Sequence, residues 1–233
     1  MTTVVITGSA GGMGAALRSV LEAAGTTVIG VDPHDAEVVA DLATPRGRAA
    51  MTEEVSRRSG GTIDGLVAGA GVQPTDAATI VRTNYFGAVA TLGSLRPLLA
   101  RGTNPSAVAI SSNSTTTMPG YAAPVADVLL AGDEDAAVSA IGDDDLGAYP
   151  VSKLALARWV RWHATTDEWI GAGIRLNAIA PGFVDTPMTE GTWDFVSSLG
   201  DVYPVPAGRP GRPDEIAALL AFLLSPAAGF FCG

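Results

Sequence analysis

Short apolar runs alternate with longer amphipathic stretches along most of the chain. Five runs of apolar and β-branched residues predict strands covered on both faces, at residues 3–7, 26–31, 64–68, 106–110 and 174–178. The stretches between and after them predict helices at residues 15–24, 45–58, 75–99, 149–169 and 213–224. This alternation predicts an α/β fold, a doubly wound and mostly parallel sheet in a single domain spanning residues 1–233.

Proline and glycine positions refine these predictions. A break is expected before Pro97 in the helix at residues 75–99. Pro150 directly follows Tyr149, and proline is tolerated in a first helical turn, so this helix is predicted to open at Tyr149. Residues 185–210 are rich in glycine, proline and aromatic residues, and they predict a mobile loop over a substrate.

Residues 113–147 form the least regular stretch of the sequence. A loop of that length without structure is unusual in a compact domain, so we predict a small helical insertion. Its helices are expected at residues 125–130 and 134–141, with Asp133 as the cap of the second. The acidic clusters at residues 133–135 and 143–145 are interpreted as solvated surface and caps, because no ligand spacing indicates a metal site.

Composition and charge narrow the possible partners. A length of 233 residues fits one α/β domain, and a net charge of −10 argues against nucleic acid and anionic membranes as partners. The single cysteine, Cys232, excludes an internal disulfide and favours a cytoplasmic protein. Neither a signal peptide nor a membrane-spanning stretch is expected from the pattern.

The first 32 residues combine a strand, a glycine-rich turn, a helix, a second strand and an acid. Gly8, Gly12 and Gly14 allow close backbone approach, and the helix N-terminus suits a pyrophosphate. Asp32 lies 18 residues beyond Gly14, near the ~20 expected for an acid that holds an adenosine ribose. Its carboxylate would repel a 2′-phosphate, so the predicted cofactor is NAD rather than NADP. The alternative is a glycine-rich turn without a ligand.

Four polar residues form the candidate catalytic set. Tyr149 and Lys153 lie four apart on a predicted helix, so their side chains share a face and the lysine favours a tyrosinate. Ser112 follows a strand at the edge where parallel sheets bind ligands, with Ser111 as its competitor. Asn84 is unfavourable inside a helix, so it has either a functional reason or a solvent-facing position.

The T-G-x-x-x-G-x-G spacing from Thr7 to Gly14, together with Asn84, Ser112, Tyr149 and Lys153 in this order, resembles the short-chain dehydrogenase/reductase family. The resemblance extends to Pro226 and implies a Rossmann-like fold. It implies that Tyr149 takes the proton of an alcohol while Lys153 tunes it and holds the nicotinamide ribose. Ser112 would fix the substrate oxygen, and Asn84 would position a relay water.

The resemblance also implies a set of cofactor-binding residues. These are Gly8, Gly12, Met13, Gly14, Asp32, Asp41, Leu42, Ala70, Gly71, Tyr149, Lys153, Pro181, Val184 and Thr186. Asp41 and Leu42 would meet the adenine, although Asp41 is equally interpreted as an ordinary helix-entry residue. The backbone of Val184 and the side chain of Thr186 would hold the carboxamide. Gly69 replaces the family's asparagine, so a looser turn is expected there.

Ser112 and Tyr149 are 37 residues apart, well beyond the family's usual spacing. The intervening insertion resembles that of the bacterial 3α-hydroxysteroid dehydrogenase/carbonyl reductase subgroup. If it covers the catalytic helix, a homo-oligomer is expected to be a dimer rather than a tetramer. The family pattern continues past Gly233 into a further strand, and without that strand one sheet edge is expected to be exposed.

The resemblance implies an NAD-dependent alcohol dehydrogenase or ketone reductase. A hydrophobic, steroid-like or cyclic secondary alcohol is the expected substrate, from the subgroup resemblance and the apolar residues of the loop. Those residues, Met188, Trp193, Phe195 and Tyr203, fit a core or an oligomer contact equally well. The alternatives are a reductase of a sugar, polyol or acyl chain, and a non-catalytic NAD-binding scaffold or sensor.

Overall fold

A parallel sheet forms the centre of the computed structural model, which describes residues 2–118 and 121–233. Within these residues the sheet has six strands in the order β3-β2-β1-β4-β5-β6. The strands are β1 (Thr3–Thr7), β2 (Thr27–Asp32), β3 (Val38–Val39), β4 (Gly65–Ala68), β5 (Ser106–Ile110) and β6 (Arg175–Ile179). The order reverses direction between β1 and β4, which confirms the doubly wound prediction and creates a crevice at the strands' carboxyl ends.

Five strands lie close to their predicted positions, and β3 was missed. Val38 and Val39 form only two residues of strand at the sheet edge, paired with Val31 and Asp32. So short a run gives no usable periodicity. By contrast, every residue of β4 and β5 is buried, which matches the continuous apolar pattern of strands covered on both faces.

Helices cover both faces of the sheet. Their bounds are α1 (Gly12–Ala23), α2 (Pro45–Arg58), α3 (Ala77–Val81), α4 (Ala88–Leu99), α5 (Ser114–Thr117), α6 (Val125–Leu130), α7 (Glu134–Ile141), α8 (Asp145–His163), α9 (Trp193–Ser198) and α10 (Pro213–Leu224). One core lies under α1 and α10, and the larger core lies under α2, α4 and α8. Val4 and Val5 point into different cores, as the two-residue period of a strand requires.

The predicted break before Pro97 is wrong. Helix α4 includes Pro97 and continues to Leu99. Leu95 and Leu99, on either side of this proline, are fully buried in the larger core. Their packing offsets the hydrogen bond that proline removes from the helix. A π-helical segment, Arg82–Gly87, joins α3 to α4 and makes the stretch helical from Ala77 onwards.

Helix α8 begins at Asp145 rather than at Tyr149, so the predicted start is wrong. Asp144 caps it, because its carboxylate accepts a hydrogen bond from the N–H of Gly147 at 2.9 Å. Pro150 therefore lies inside the helix. The predicted end near Trp169 is also wrong, since α8 ends at His163 and the buried Trp169 packs edge-on against Trp159.

The insertion is helical, as predicted. Helices α6 and α7 lie at the expected positions, and Asp133 caps α7 by accepting from the N–H of Ala136 at 3.0 Å. Helix α5 was missed, and Pro119 and Gly120 lie outside the described residues. The predicted substrate loop, residues 185–210, contains α9 and two short 3₁₀ helices, so it is more regular than the sequence predicted. In the described residues, every helix is too short or too polar to cross a membrane.

Candidate active site

The glycine turn lies where β1 meets the first turn of α1. Gly8 has a φ of +75°, and a Cβ there would lie 3.0 Å from the Cα of Ala70. A Cβ on Gly14 would lie 2.0 Å from the carbonyl oxygen of Gly8, so only glycine fits at this position in the first turn of α1. Gly11, the N-cap, offers no side-chain hydrogen bond to α1. The helix N-terminus therefore has free N–H groups that suit an anion.

Asp32 lies at the end of β2, beside this turn. One carboxylate oxygen accepts from the N–H of Ala10 and the other from the N–H of His34, both at 3.2 Å. These bonds fix the acid at the rim of a cleft of about 210 Å³. The cleft is lined by Gly8, Gly11, Gly12, Met13, Gly14, Asp32, Gly69, Gly71, Thr186, Pro187 and Met188.

A second cavity, of about 80 Å³, shares part of its lining with this cleft. It brings together Ser112, Tyr149 and Lys153, which come from the end of β5 and from α8. Pro181, Val184 and Thr186 also line it, as do Met13 and Gly71. The structure thus places three of the four predicted catalytic side chains around one cavity beside the glycine turn.

Lys153 is almost fully buried beneath this cavity. Its Nζ donates a hydrogen bond to the carbonyl oxygen of Ile110 at 2.8 Å and lies 5.7 Å from the ring centre of Tyr149. Burial lowers the pKa of Lys153 to about 8. This hydrogen bond thus anchors the lysine side chain to β5.

The surroundings of Tyr149 raise its pKa. The sequence analysis predicted the opposite direction, because a neighbouring lysine favours the tyrosinate. Burial is the largest cause, and a hydrogen bond with Ser112 offsets part of it. Tyr149 and Ser112 line the same cavity, so a phenol and a serine hydroxyl are brought to one place in the structure.

The two candidate serines have different partners. Ser111 donates its hydroxyl to the carbonyl oxygen of Lys153 at 2.9 Å, which anchors α8 to the end of β5. Ser112 Oγ accepts from the N–H of Ser114 at 3.1 Å and lies at the cavity beside Tyr149. Both serines line the cavity, but the hydroxyl proton of Ser111 is used in the bond to α8.

Asn84 lies in the π-helical segment and is completely buried, so the solvent-facing alternative is wrong. Its Oδ1 accepts from the N–H of Val72 at 2.8 Å, and its Nδ2 donates to the Val72 carbonyl at 3.2 Å. A Cβ on Gly71 would lie 3.3 Å from Asn84 Oδ1 and 3.4 Å from Lys153 Nζ. Asn84 therefore lies behind the cavity, next to the lysine.

Asp41 and Leu42 lie outside both cavities in the described part of the chain. Asp41 accepts from the N–H of Ala43 at 2.9 Å, in a turn that leads to Thr44, the N-cap of α2. Leu42 is buried against Gly87. This geometry favours the helix-entry interpretation of Asp41, and contact of these two residues with an adenine stays a prediction.

The turn at Gly69 and Ala70 is held by the side chain of Thr7, although the sequence analysis expected a looser turn there. Thr7 Oγ1 accepts from the N–H groups of both residues at 3.1 Å. A Cβ on Gly69 would lie 2.9 Å from the carbonyl oxygen of Thr7. The turn thus keeps two side-chain hydrogen bonds, and the close approach of β1 explains the glycine.

Thr189 is a lining residue that the sequence analysis missed. Its hydroxyl donates to the carbonyl oxygen of Val184 at 2.6 Å and accepts from the N–H of Thr186 at 3.0 Å. These bonds shape the wall of the second cavity. The two threonines three residues apart form a capping box, and that spacing was the available signal.

The fold and the site define a dinucleotide-dependent oxidoreductase with a serine, a tyrosine and a lysine at its centre. A family model described as short chain dehydrogenase matches residues 2–125, and one described as enoyl-(acyl carrier protein) reductase matches residues 135–233. The chain belongs to the short-chain dehydrogenase/reductase family.

Relatives of known name refine this assignment. The chain is 41% identical to 3-alpha-hydroxysteroid dehydrogenase/carbonyl reductase from Comamonas testosteroni, over all of this chain and 93% of that protein. It is 40% identical to 3-alpha-hydroxysteroid dehydrogenase from Pseudomonas sp. B-0831, solved with NADH, with a TM-score of 0.88 over 99% and 92% of the two chains. Coniferyl-alcohol dehydrogenase from a Pseudomonas species is 32% identical over 94% of this chain and 88% of its own.

Proposed function

We propose that the chain is an NAD(H)-dependent enzyme that interconverts a hydrophobic secondary alcohol and its ketone. The observation that carries this proposal is the placement of Ser112, Tyr149 and Lys153 around one cavity that adjoins the cleft of the glycine turn and Asp32. A scaffold that only binds a nucleotide has no need of a half-buried phenol that shares a cavity with a serine hydroxyl.

The residues at the cleft fit a dinucleotide. A Cβ would close the glycine turn at Gly8 and Gly14, and the N-terminus of α1 is free for a pyrophosphate. Asp32 would accept hydrogen bonds from the adenosine ribose, and Val184 and Thr186 would hold the carboxamide. When bound, NAD(H) supplies the site with a hydride acceptor or donor. The relative from Pseudomonas sp. B-0831, solved with NADH, supports this choice.

The protein's own groups manage the proton. In alcohol oxidation Tyr149 accepts the hydroxyl proton through its phenolate form, and in ketone reduction its phenol donates that proton to the carbonyl oxygen. Ser112 Oγ donates a hydrogen bond to the same oxygen. Lys153, anchored at Ile110 and 5.7 Å from the ring centre of Tyr149, would in its charged form favour the phenolate and so oppose the effect of burial on the pKa of Tyr149. Asn84 lies next to the lysine and would position a relay water.

A hydroxysteroid-like or cyclic alcohol is the proposed substrate. The second cavity is lined partly by Met13, Ile110, Val184 and Met188, which are apolar. The 41% identical relative is named a hydroxysteroid dehydrogenase and carbonyl reductase, which supports the same class. Sugar, polyol and acyl-chain substrates remain the alternatives to be tested beside it.

The direct test follows the absorbance of the NADH formed from NAD⁺, or of the NADPH formed from NADP⁺, with a panel of hydroxysteroids, cyclic alcohols, polyols and a hydroxyacyl thioester. We expect turnover with NAD⁺ and the apolar cyclic alcohols. Turnover confined to polyols or thioesters would contradict the substrate proposal. NADH binding without turnover of any compound would favour the non-catalytic alternative.

Replacing Asp32 with Ala is expected to raise the ratio of kcat/KM for NADP to that for NAD by about 10- to 100-fold, because hydrogen bonds to the ribose and repulsion of a 2′-phosphate are both lost. Asp32→Asn is the matched variant, since it keeps the side-chain size and removes the charge. Initial rates with both cofactors measure the ratio. An unchanged affinity for NAD in Asp32→Ala would refute the assigned role.

The proposed assembly is a homodimer. Helix α6 of the insertion packs on α8, where Arg158 Nη1 lies 3.0 Å from a carboxylate oxygen of Asp127. The insertion therefore covers part of the helix that bears Tyr149. Light scattering is expected to give the mass of two chains. A tetramer with an interface through α8 would show that this cover does not block docking.

A further inference from the structure

A hydrogen bond joins the substrate loop to the residue that follows Ser112. Tyr203 is half-buried, and its hydroxyl donates to Asn113 Oδ1 at 2.7 Å. The two residues are 90 positions apart in the sequence. Neither was assigned a specific role by the sequence pattern.

Asn113 holds three parts of the site together. It directly follows Ser112, and its N–H donates to the carbonyl oxygen of Pro181 at 3.0 Å. Its side-chain amide lies 3.6 Å from where a Cβ on Gly182 would be. Through Tyr203 it also contacts the substrate loop. A shift of Asn113 would therefore move the catalytic serine relative to the wall formed by Pro181.

The central part of the substrate loop, residues 193–203, contacts the rest of the site at each of its two ends. At one end the ring of Trp193 packs against that of Phe183, with centres 5.5 Å apart. At the other end Tyr203 binds Asn113. Between them Phe195 and Val202 are exposed, and the side-chain hydrogen bonds of Ser197 and Ser198 are local. Few buried contacts hold this part, so its end anchors determine its stability.

Tyr203 is suited to remain a hydrogen-bond donor. Burial raises its pKa, and the bond to Asn113 offsets part of that rise.

We propose that Tyr203 is a positioning and specificity-determining residue, which through Asn113 holds the substrate loop against the end of β5 beside Ser112. The inference rests on the proposed function for its catalytic part and on the hydrogen bond alone for its structural part. Substrate affinity then depends on a contact between two side chains rather than on the backbone of the loop.

Tyr203→Phe is expected to raise KM for the alcohol about 3- to 10-fold, with kcat changed less than twofold, because one hydrogen bond to the loop is lost. Asn113→Leu removes the acceptor at similar size and is expected to have a similar effect. The double variant is expected to be no worse than either single variant, since both remove the same bond. Tyr121→Phe is the matched control, because it removes a hydroxyl that donates to the Thr115 carbonyl in the insertion.

Limited proteolysis of the intact 233-residue chain without substrate gives a second readout. Cleavage within residues 193–203 is expected to be several-fold faster in Tyr203→Phe and Asn113→Leu than in Tyr121→Phe. This readout decides the structural part even if the wild-type protein turns over no compound of the panel. An unchanged KM together with unchanged cleavage would overturn the inference. Additive effects in the double variant would overturn it as well.

Discussion

Tyr149→Phe is expected to lower kcat by roughly 10²- to 10⁴-fold, the range that general acid–base catalysis contributes. In the proposed mechanism the phenol is the proton donor and acceptor, and it lines the second cavity together with Ser112. Phenylalanine keeps the ring, so the packing of α8 against the cavity is preserved. Initial rates of alcohol oxidation at saturating NAD⁺ measure the effect.

Two controls separate chemistry from structure in this experiment. NADH affinity, measured by fluorescence, is expected to change less than threefold, since the glycine turn and Asp32 are untouched. Tyr121→Phe, which removes a hydroxyl in the insertion, is expected to keep nearly full kcat. If Tyr149→Phe retained wild-type turnover, another group would have to move the proton and the mechanism would be wrong.

The second large effect is expected from Gly14→Ala. The new Cβ would lie 2.0 Å from the carbonyl oxygen of Gly8 and 2.9 Å from its carbonyl carbon, both of which are backbone atoms. Neither can move without displacing α1 from β1. We expect the free energy of unfolding to fall by about 3 kcal/mol, the upper part of the range for overpacking. We also expect NADH binding to be lost.

Gly93→Ala is the matched control for this substitution. Gly93 lies in α4, where an added Cβ meets no heavy atom within 4 Å. The same chemical change is therefore expected to raise the free energy of unfolding by about 0.5–1 kcal/mol, because alanine is the better helix former. Urea denaturation measures both variants. A Gly14→Ala protein as stable as the wild type would contradict the close contact between the turn and α1.

Much of the fold could be predicted because it depends on local patterns. The buried strands at Thr3–Thr7 and Ser106–Ile110 have continuous apolar runs, and such runs are local properties of the chain. The cap at Asp133 was predictable for the same reason, since its partner lies three residues away. By contrast, the start of α8 was predicted wrongly from Pro150. The helix begins at Asp145, because the side chain of Asp144 caps it there.

The candidate site was predictable to the extent that its members have fixed spacing. Tyr149 and Lys153 share a helix face whatever the rest of the chain does, and Gly8, Gly12 and Gly14 define their turn by sequence alone. The raised pKa of Tyr149 was not predictable in this way. It depends on burial, which many residues distant in sequence create together.

The sequence by itself determined the α/β class, the glycine turn with Asp32, and the helix face that Tyr149 and Lys153 share. Each of these depends on period or spacing along the chain. The candidate role of Ser112 came from the family resemblance. Only the tertiary structure decided that Ser111 anchors α8 and that Lys153 binds the Ile110 carbonyl. It alone also joined Tyr203 to Asn113. These contacts join residues 42 to 90 positions apart, and no local pattern encodes them because folding creates the proximity.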